Sequence, residues 1–187
     1  MKRDIFRILF TLTNKQPWLI DNPDTLEYLL FEECKNDAAR ELLIDLVNRF
    51  EFIDNERYQE LMAQIALEIV TEPEIHEKST LISAMSIGDD ADSGQAIIYS
   101  LKSLLQEQNW ASHKAINDAM QAYKTFRRNA QLRDIILVDE FVGSGQTVIG
   151  RVETIQRQFR EANLDNVKII VKVLAGTDEG IKRIKSK

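Results

Sequence analysis

Hydrophobic positions along the chain follow two rhythms. Through residue 72 they recur at helical spacing: Ile5, Ile8, Leu9 and Leu12 share one face before a break at residues 14–17, and Leu26, Leu29 and Leu30 follow turn signals at residues 21–24. Asp37 reads as the N-cap of a third helix whose inward stripe is Ala38, Leu42, Leu46 and Phe50, widened by Leu43 and Val47. A fourth helix is predicted from Asp54, with Leu61, Ile65 and Ile69 inward. From Ser79 onward, short apolar runs end in Gly-containing polar loops and are followed by amphipathic stretches, the alternation of a parallel sheet with crossover helices.

Three such units can be marked. The first has a strand at 80–87, a loop at 88–94 and a helix at 95–106 with Ile98, Leu101 and Leu105 inward. In the second, a strand at 134–141 leads to a loop at 142–147 and a helix at 148–162 with Val148, Val152, Ile155 and Phe159 inward. The third has a strand at 167–174, a loop at 175–180 and the start of a helix. Residues 113–128 read as an additional helix offering Ala115, Ile116, Ala119, Met120 and Tyr123 for packing, with a basic end that reads as solvated surface.

Composition sharpens the division. All seven glycines lie at or after Gly88, and all three prolines at or before Pro73. Residues 1–72 carry 8 Lys and Arg against 15 Asp and Glu, a net of −7, whereas residues 73–187 carry 16 against 15, a net of +1. An acidic, all-helical module at 1–74 and an α/β domain at 75–187 are therefore expected, with the boundary near Pro73.

The same counts exclude several functions. A single cysteine, Cys34, forbids an internal disulfide and reads as a packed thiol, and two histidines, His76 and His113, leave too few ligands for a His/Cys zinc site. No run approaches the roughly 18 apolar residues of a membrane span. Asp4 and Arg7 interrupt the N-terminal apolar stretch, so no signal peptide is read and a cytoplasmic protein is expected. A net charge of −6 gives no general footprint for nucleic acid or an anionic membrane. The acidic helices offer no chemistry of their own: Trp18, Tyr28 and Tyr58 read as packing, and the negative surface as a solvated face or a protein-docking face.

Chemistry concentrates in the segment IILVDEFVGSGQTV. A buried strand ends in Asp139 and Glu140. Gly143 and Gly145 then allow close backbone approach, and Ser144 and Thr147 supply hydroxyls at a helix mouth, where amides and the helix dipole suit a phosphate. Two carboxylates beside an anion repel it unless they hold sugar hydroxyls or a magnesium ion of the same ligand. Gln146 and Thr147 stand where a P-loop needs lysine and serine or threonine, and Gly150 comes two positions late for a dinucleotide fingerprint.

Taken whole, the pattern resembles the ribose-5-phosphate loop of the type I phosphoribosyltransferases. The resemblance implies an α/β, Rossmann-like core behind the helical module. It also implies that Asp139 and Glu140 contact the ribose hydroxyls, directly or through Mg2+, and that Gly143, Ser144, Gly145, Gln146 and Thr147 cradle the 5′-phosphate. By position, Asp92, Ser93 and Gly94 would bring amides to a diphosphate, with helix capping by Ser93 as the alternative, and residues 176–180 lie where members of that family contact the base or simply turn. A narrower likeness, resting on the loops DSG and DEFVGSGQT, is to the phosphoribosyltransferase-like domains of bacterial conflict and phage-defence systems, the PRTase-CE group.

Departures from the pattern keep two functions open. Gly143 stands where many members of the resembled family have an acid or alanine, the acid serving as a base in some nucleobase-specific enzymes, and the loop at 88–94 holds three aspartates and no lysine or arginine. A complete core of that family has at least one more strand, so the chain reads as a piece of a longer protein or a reduced fold. Mg2+-dependent binding of phosphoribosyl pyrophosphate, with transfer or pyrophosphate release, is one expectation. The other is a catalytically reduced regulatory or effector module that binds a nucleotide-like ligand or a protein partner.

Overall fold

The computed structural model describes residues 3–86, 93–164 and 166–187, with Ser93 described by its backbone alone. The chain divides into two compact units, residues 1–54 and 55–187.

The first unit is helical. Helices α1 (Arg3–Lys15), α2 (Pro23–Tyr28, prolonged by a π turn at Leu29–Glu33) and α3 (Asp37–Arg49) enclose Leu12, Leu19, Leu26 and Leu30. Two readings of α3 are corrected. The cap is Asn36, whose side chain accepts from the amide of Ala39, and Asp37 is the first helical residue. The inward face carries Leu43, Ile44 and Val47, while Leu42, Leu46 and Phe50 are more than half exposed. Apolar residues at 42, 43, 44, 46 and 47 cover about half the helix circumference. Which part turns inward is decided by the partner helices, which periodicity does not see. Gln16 joins the elements of this unit through Nε2, which donates to the carbonyls of Val47 and Phe50.

The second unit opens with α4 (Asn55–Thr71) and then builds a sheet from β1 (Thr80–Ala84), β2 (Lys114–Ile116), β3 (Asp134–Val142) and β4 (Lys168–Gly176). The order is β2-β1-β3-β4 and every pairing is parallel, as the alternating pattern predicts. Strands buried on both faces need continuous apolar runs, and Ile135, Ile136, Leu137 and Val138 are fully buried. Side chains alternate across the sheet. Ile136 and Val138 join Met62, Ile65, Ala66 and Ile69 of α4 and Ile97, Leu101 and Leu105 of α5 (Ser93–Glu107) on one face. Ile135 and Leu137 join Ala122 and Phe126 of α6 (Ala122–Arg127) and Val148, Ile155 and Phe159 of α7 (Gln146–Glu161) on the other.

The helix expected at 113–128 is instead the edge strand β2, a short turn at Ala119–Gln121 and α6. Asp118 divides them by accepting from the amide of Met120, and the three-residue strand pairs with β1 from Leu81↔Lys114 to Ser83↔Ile116. So short a strand has no period to read. The last helix, α8 (Asp178–Lys185), begins earlier than expected because Thr177 caps it, accepting from the amide of Gly180. No helix among the described residues is long and apolar enough to cross a membrane.

Candidate functional site

The helices after β1 and β3 lie on opposite faces of the sheet: α5 shares its core cluster with α4, and α7 shares its cluster with α6. Adjacent parallel strands whose crossovers diverge leave a crevice beyond their carboxyl ends, the usual ligand position in an open α/β sheet. Asp139 and Glu140 stand at that crevice.

Hydrogen bonds mark where the two strands part. The amide of Met85 still donates to Val138 O at 3.0 Å, so a parallel ladder would next run from the Glu140 amide to Met85 O. It does not. Asp139 Oδ1 accepts from the Glu140 amide at 2.9 Å, and Met85 O accepts from Arg151 Nε at 3.3 Å. Side chains thus fill the places of two ladder partners, and the fork opens one residue before the acid pair ends.

The two acids are not equivalent. By alternation Asp139 belongs to the α6/α7 side and Glu140 to the α4/α5 side. The Tyr58 hydroxyl of α4 lies 3.5 Å from Glu140 Oε1. Burial first, then the charge and hydrogen bonding of Glu140, push the Tyr58 phenol above its ordinary value, opposed by a hydrogen bond with Ser100 of α5. Helical spacing alone makes Tyr58 a packing residue; its contact with Glu140 has no sequence signal, since the two are 82 residues apart. Glu140→Gln should bring the phenol down toward its usual range while leaving it raised by burial. Ultraviolet titration of phenolate absorbance, with Tyr58→Phe to assign the signal, checks this.

The loop after β3 leads directly into α7. Gly145 caps α7 with φ of 76°, a left-handed conformation that suits glycine, so Gln146 and Thr147 form the first helical turn instead of preceding the helix. A helix leaves its first amides without intrahelical partners, and here that turn opens at the C-terminal edge of β3. Ser144 Oγ accepts from the Gln146 amide at 3.4 Å, and Ser144, Gln146 and Thr147 are exposed. Phe141, beside the acids, is 60% exposed despite belonging to the strand.

Residues 176–180 fold against this loop. Thr177 donates its amide to Val142 O at 2.9 Å and its hydroxyl to Gly143 O at 2.6 Å, and Arg183 Nη1 donates to Ser144 O at 3.2 Å. Three successive carbonyls, those of Val142, Gly143 and Ser144, are thereby tied to the cap and the last turn of α8. Gly180 is in the first turn of that helix, where a Cβ would collide with Gly143 O. Gly143 itself has room: a Cβ there would meet only Phe141 Cε1, at 3.8 Å.

Of the diphosphate residues expected from the sequence, Asp92 lies outside the described residues, Ser93 opens α5, and Gly94 is buried in its first turn. Among the described residues no group of three or more His, Cys, Asp or Glu is arranged to hold a metal. Asp139 and Glu140 are the carboxylates that stand at the crevice, and Mg2+ commonly takes only one or two protein carboxylates.

A family model described as PRTase-CE matches residues 31–187. The chain belongs to the PRTase-CE family. No curated protein and no solved structure matches it. Membership identifies a phosphoribosyltransferase-like domain, and the PRTase-CE match begins within α2's π turn, so it takes in α3 and α4 as well as the sheet.

Proposed function

We propose that the β1/β3 crevice binds a ribose-5-phosphate ligand such as phosphoribosyl pyrophosphate together with Mg2+. The observation that carries this reading is the join of the Asp139–Glu140 pair to a glycine-capped helix mouth at the point where the crossovers diverge. In this reading the amides of residues 143–147 and the hydroxyls of Ser144 and Thr147 hold the 5′-phosphate. Asp139 and Glu140 accept from ribose hydroxyls and stabilise the positive charge that grows on the ring as the diphosphate departs. Bound Mg2+ would offset diphosphate charge in binding and departure.

A second reading, a regulatory or defence-system effector that binds this ligand or a protein partner without turnover, is favoured by Gly143, which presents no base beside the ribose acids. Calorimetric titration with phosphoribosyl pyrophosphate and Mg2+ tests the binding: wild type should give a saturable signal, and Asp139→Asn should weaken it by about tenfold or more, the worth of a charge-assisted hydrogen bond. No heat at millimolar ligand overturns the reading. Release of pyrophosphate separates an enzyme from a binding module.

A further inference from the structure

The loop at 88–94 supplies no cation, yet the fork between β1 and β3 contains one. Arg151 lies one turn beyond Thr147 on α7, four residues along and so on the same side of the helix. Its Nε bonds Met85 O at the place where the ladder partner of β1 is missing, and Asp139 Oδ1 fills the corresponding place on β3. Met85 pairs at the level of Asp139, so the guanidinium and that carboxylate occupy one fork. Arg151 is half-buried and makes no ion pair among the described residues.

A partly desolvated guanidinium held by one neutral carbonyl keeps its two terminal nitrogens for a planar, two-pronged acceptor. Phosphoryl oxygens match that geometry better than any neutral group. The 5′-phosphate already has the helix mouth, a full turn above.

We propose that Arg151 binds a second phosphoryl group, the diphosphate end of the ligand, and so makes the crevice select a sugar diphosphate over a sugar monophosphate. The inference rests on the ribose-phosphate reading for its choice of ligand but not for the anion site itself. Arg151 would then counter the repulsion from Asp139, which shares its side of the sheet.

The test compares phosphoribosyl pyrophosphate, ribose 5-phosphate and inorganic pyrophosphate, each titrated with Mg2+ into the full chain. Wild type should bind the two diphosphates, and Arg151→Gln should weaken both by about tenfold or more, with ribose 5-phosphate changed less than about twofold. Arg151→Lys, which keeps charge but loses the fork, should fall between them and serves if the Gln variant does not fold. Equal weakening of all three ligands, or no weakening, overturns the proposal. Arg151-dependent binding of pyrophosphate without binding of either sugar would instead overturn the ribose reading and leave this one standing.

Discussion

Replacing Gly180 with alanine is expected to destabilise the protein by about 2 kcal/mol and to weaken phosphoribosyl pyrophosphate binding, although the substitution adds helix propensity. The two effects oppose each other. Glycine to alanine inside a helix gains about 1 kcal/mol, and α8 is short enough to benefit. Against it stands the carbonyl of Gly143, which a Cβ at 180 would strike. A backbone atom cannot swing aside as a side chain can, so α8 must retreat from the loop, and overpacking of this kind costs about 1–3 kcal/mol before lost hydrogen bonds are added. Retreat would also break the Thr177 hydroxyl bond to Gly143 O and the Arg183 bond to Ser144 O, freeing the loop that leads into α7. Gly150 is the internal control. It lies within α7 with nothing inside 4 Å of an added Cβ, so Gly150→Ala should stabilise by about 0.5–1 kcal/mol. Urea melts of both variants read the sign directly. A Gly180→Ala protein as stable as wild type would show that α8 does not seat on the loop.

The contrast between these glycines shows what a sequence can carry. The turn at Gly143 and Gly145 was legible because it sits in a local pattern, strand, acids, small residues and hydroxyls, contained within fourteen residues. The fold class was legible for the same reason: apolar runs of sheet length alternate with helical spacing, and the parallel four-stranded sheet follows. Gly180 looked like a loop residue because its role is set by Gly143, 37 positions earlier, and such a close approach leaves no local trace. Arg151 and Tyr58 were equally silent. One is a charge within the helix expected at 148–162 and the other reads as packing, until Met85 O and Glu140 are found beside them. The edge strand β2 was missed because a parallel partner satisfies three residues that a helix pattern could equally have claimed.

Shortening the chain separates two placements of the domain boundary. Glycine, proline and charge change near Pro73, but the compact units divide between Asp54 and Asn55, which puts α4 with the sheet. A chain of residues 55–187 is expected to fold and to unfold cooperatively; one of residues 75–187 is expected to aggregate or remain unfolded. The difference is α4. It buries Met62, Ile65 and Ile69 against Ile82, Ile136 and Val138, and burying each such side chain contributes about 1.5–3 kcal/mol. Their sum is comparable with the whole stability of an ordinary domain, about 5–15 kcal/mol. Lys172 of β4 is tied to the same helix, with Glu68 at 3.1 Å and Glu72 at 3.3 Å, both from α4 or its end. Circular dichroism and thermal melting of the two shortened chains measure the outcome. Cooperative folding of residues 75–187 alone would show that the sheet closes its own core. It would also make α4, and with it the Tyr58 contact to Glu140, an addition to the domain instead of part of its foundation.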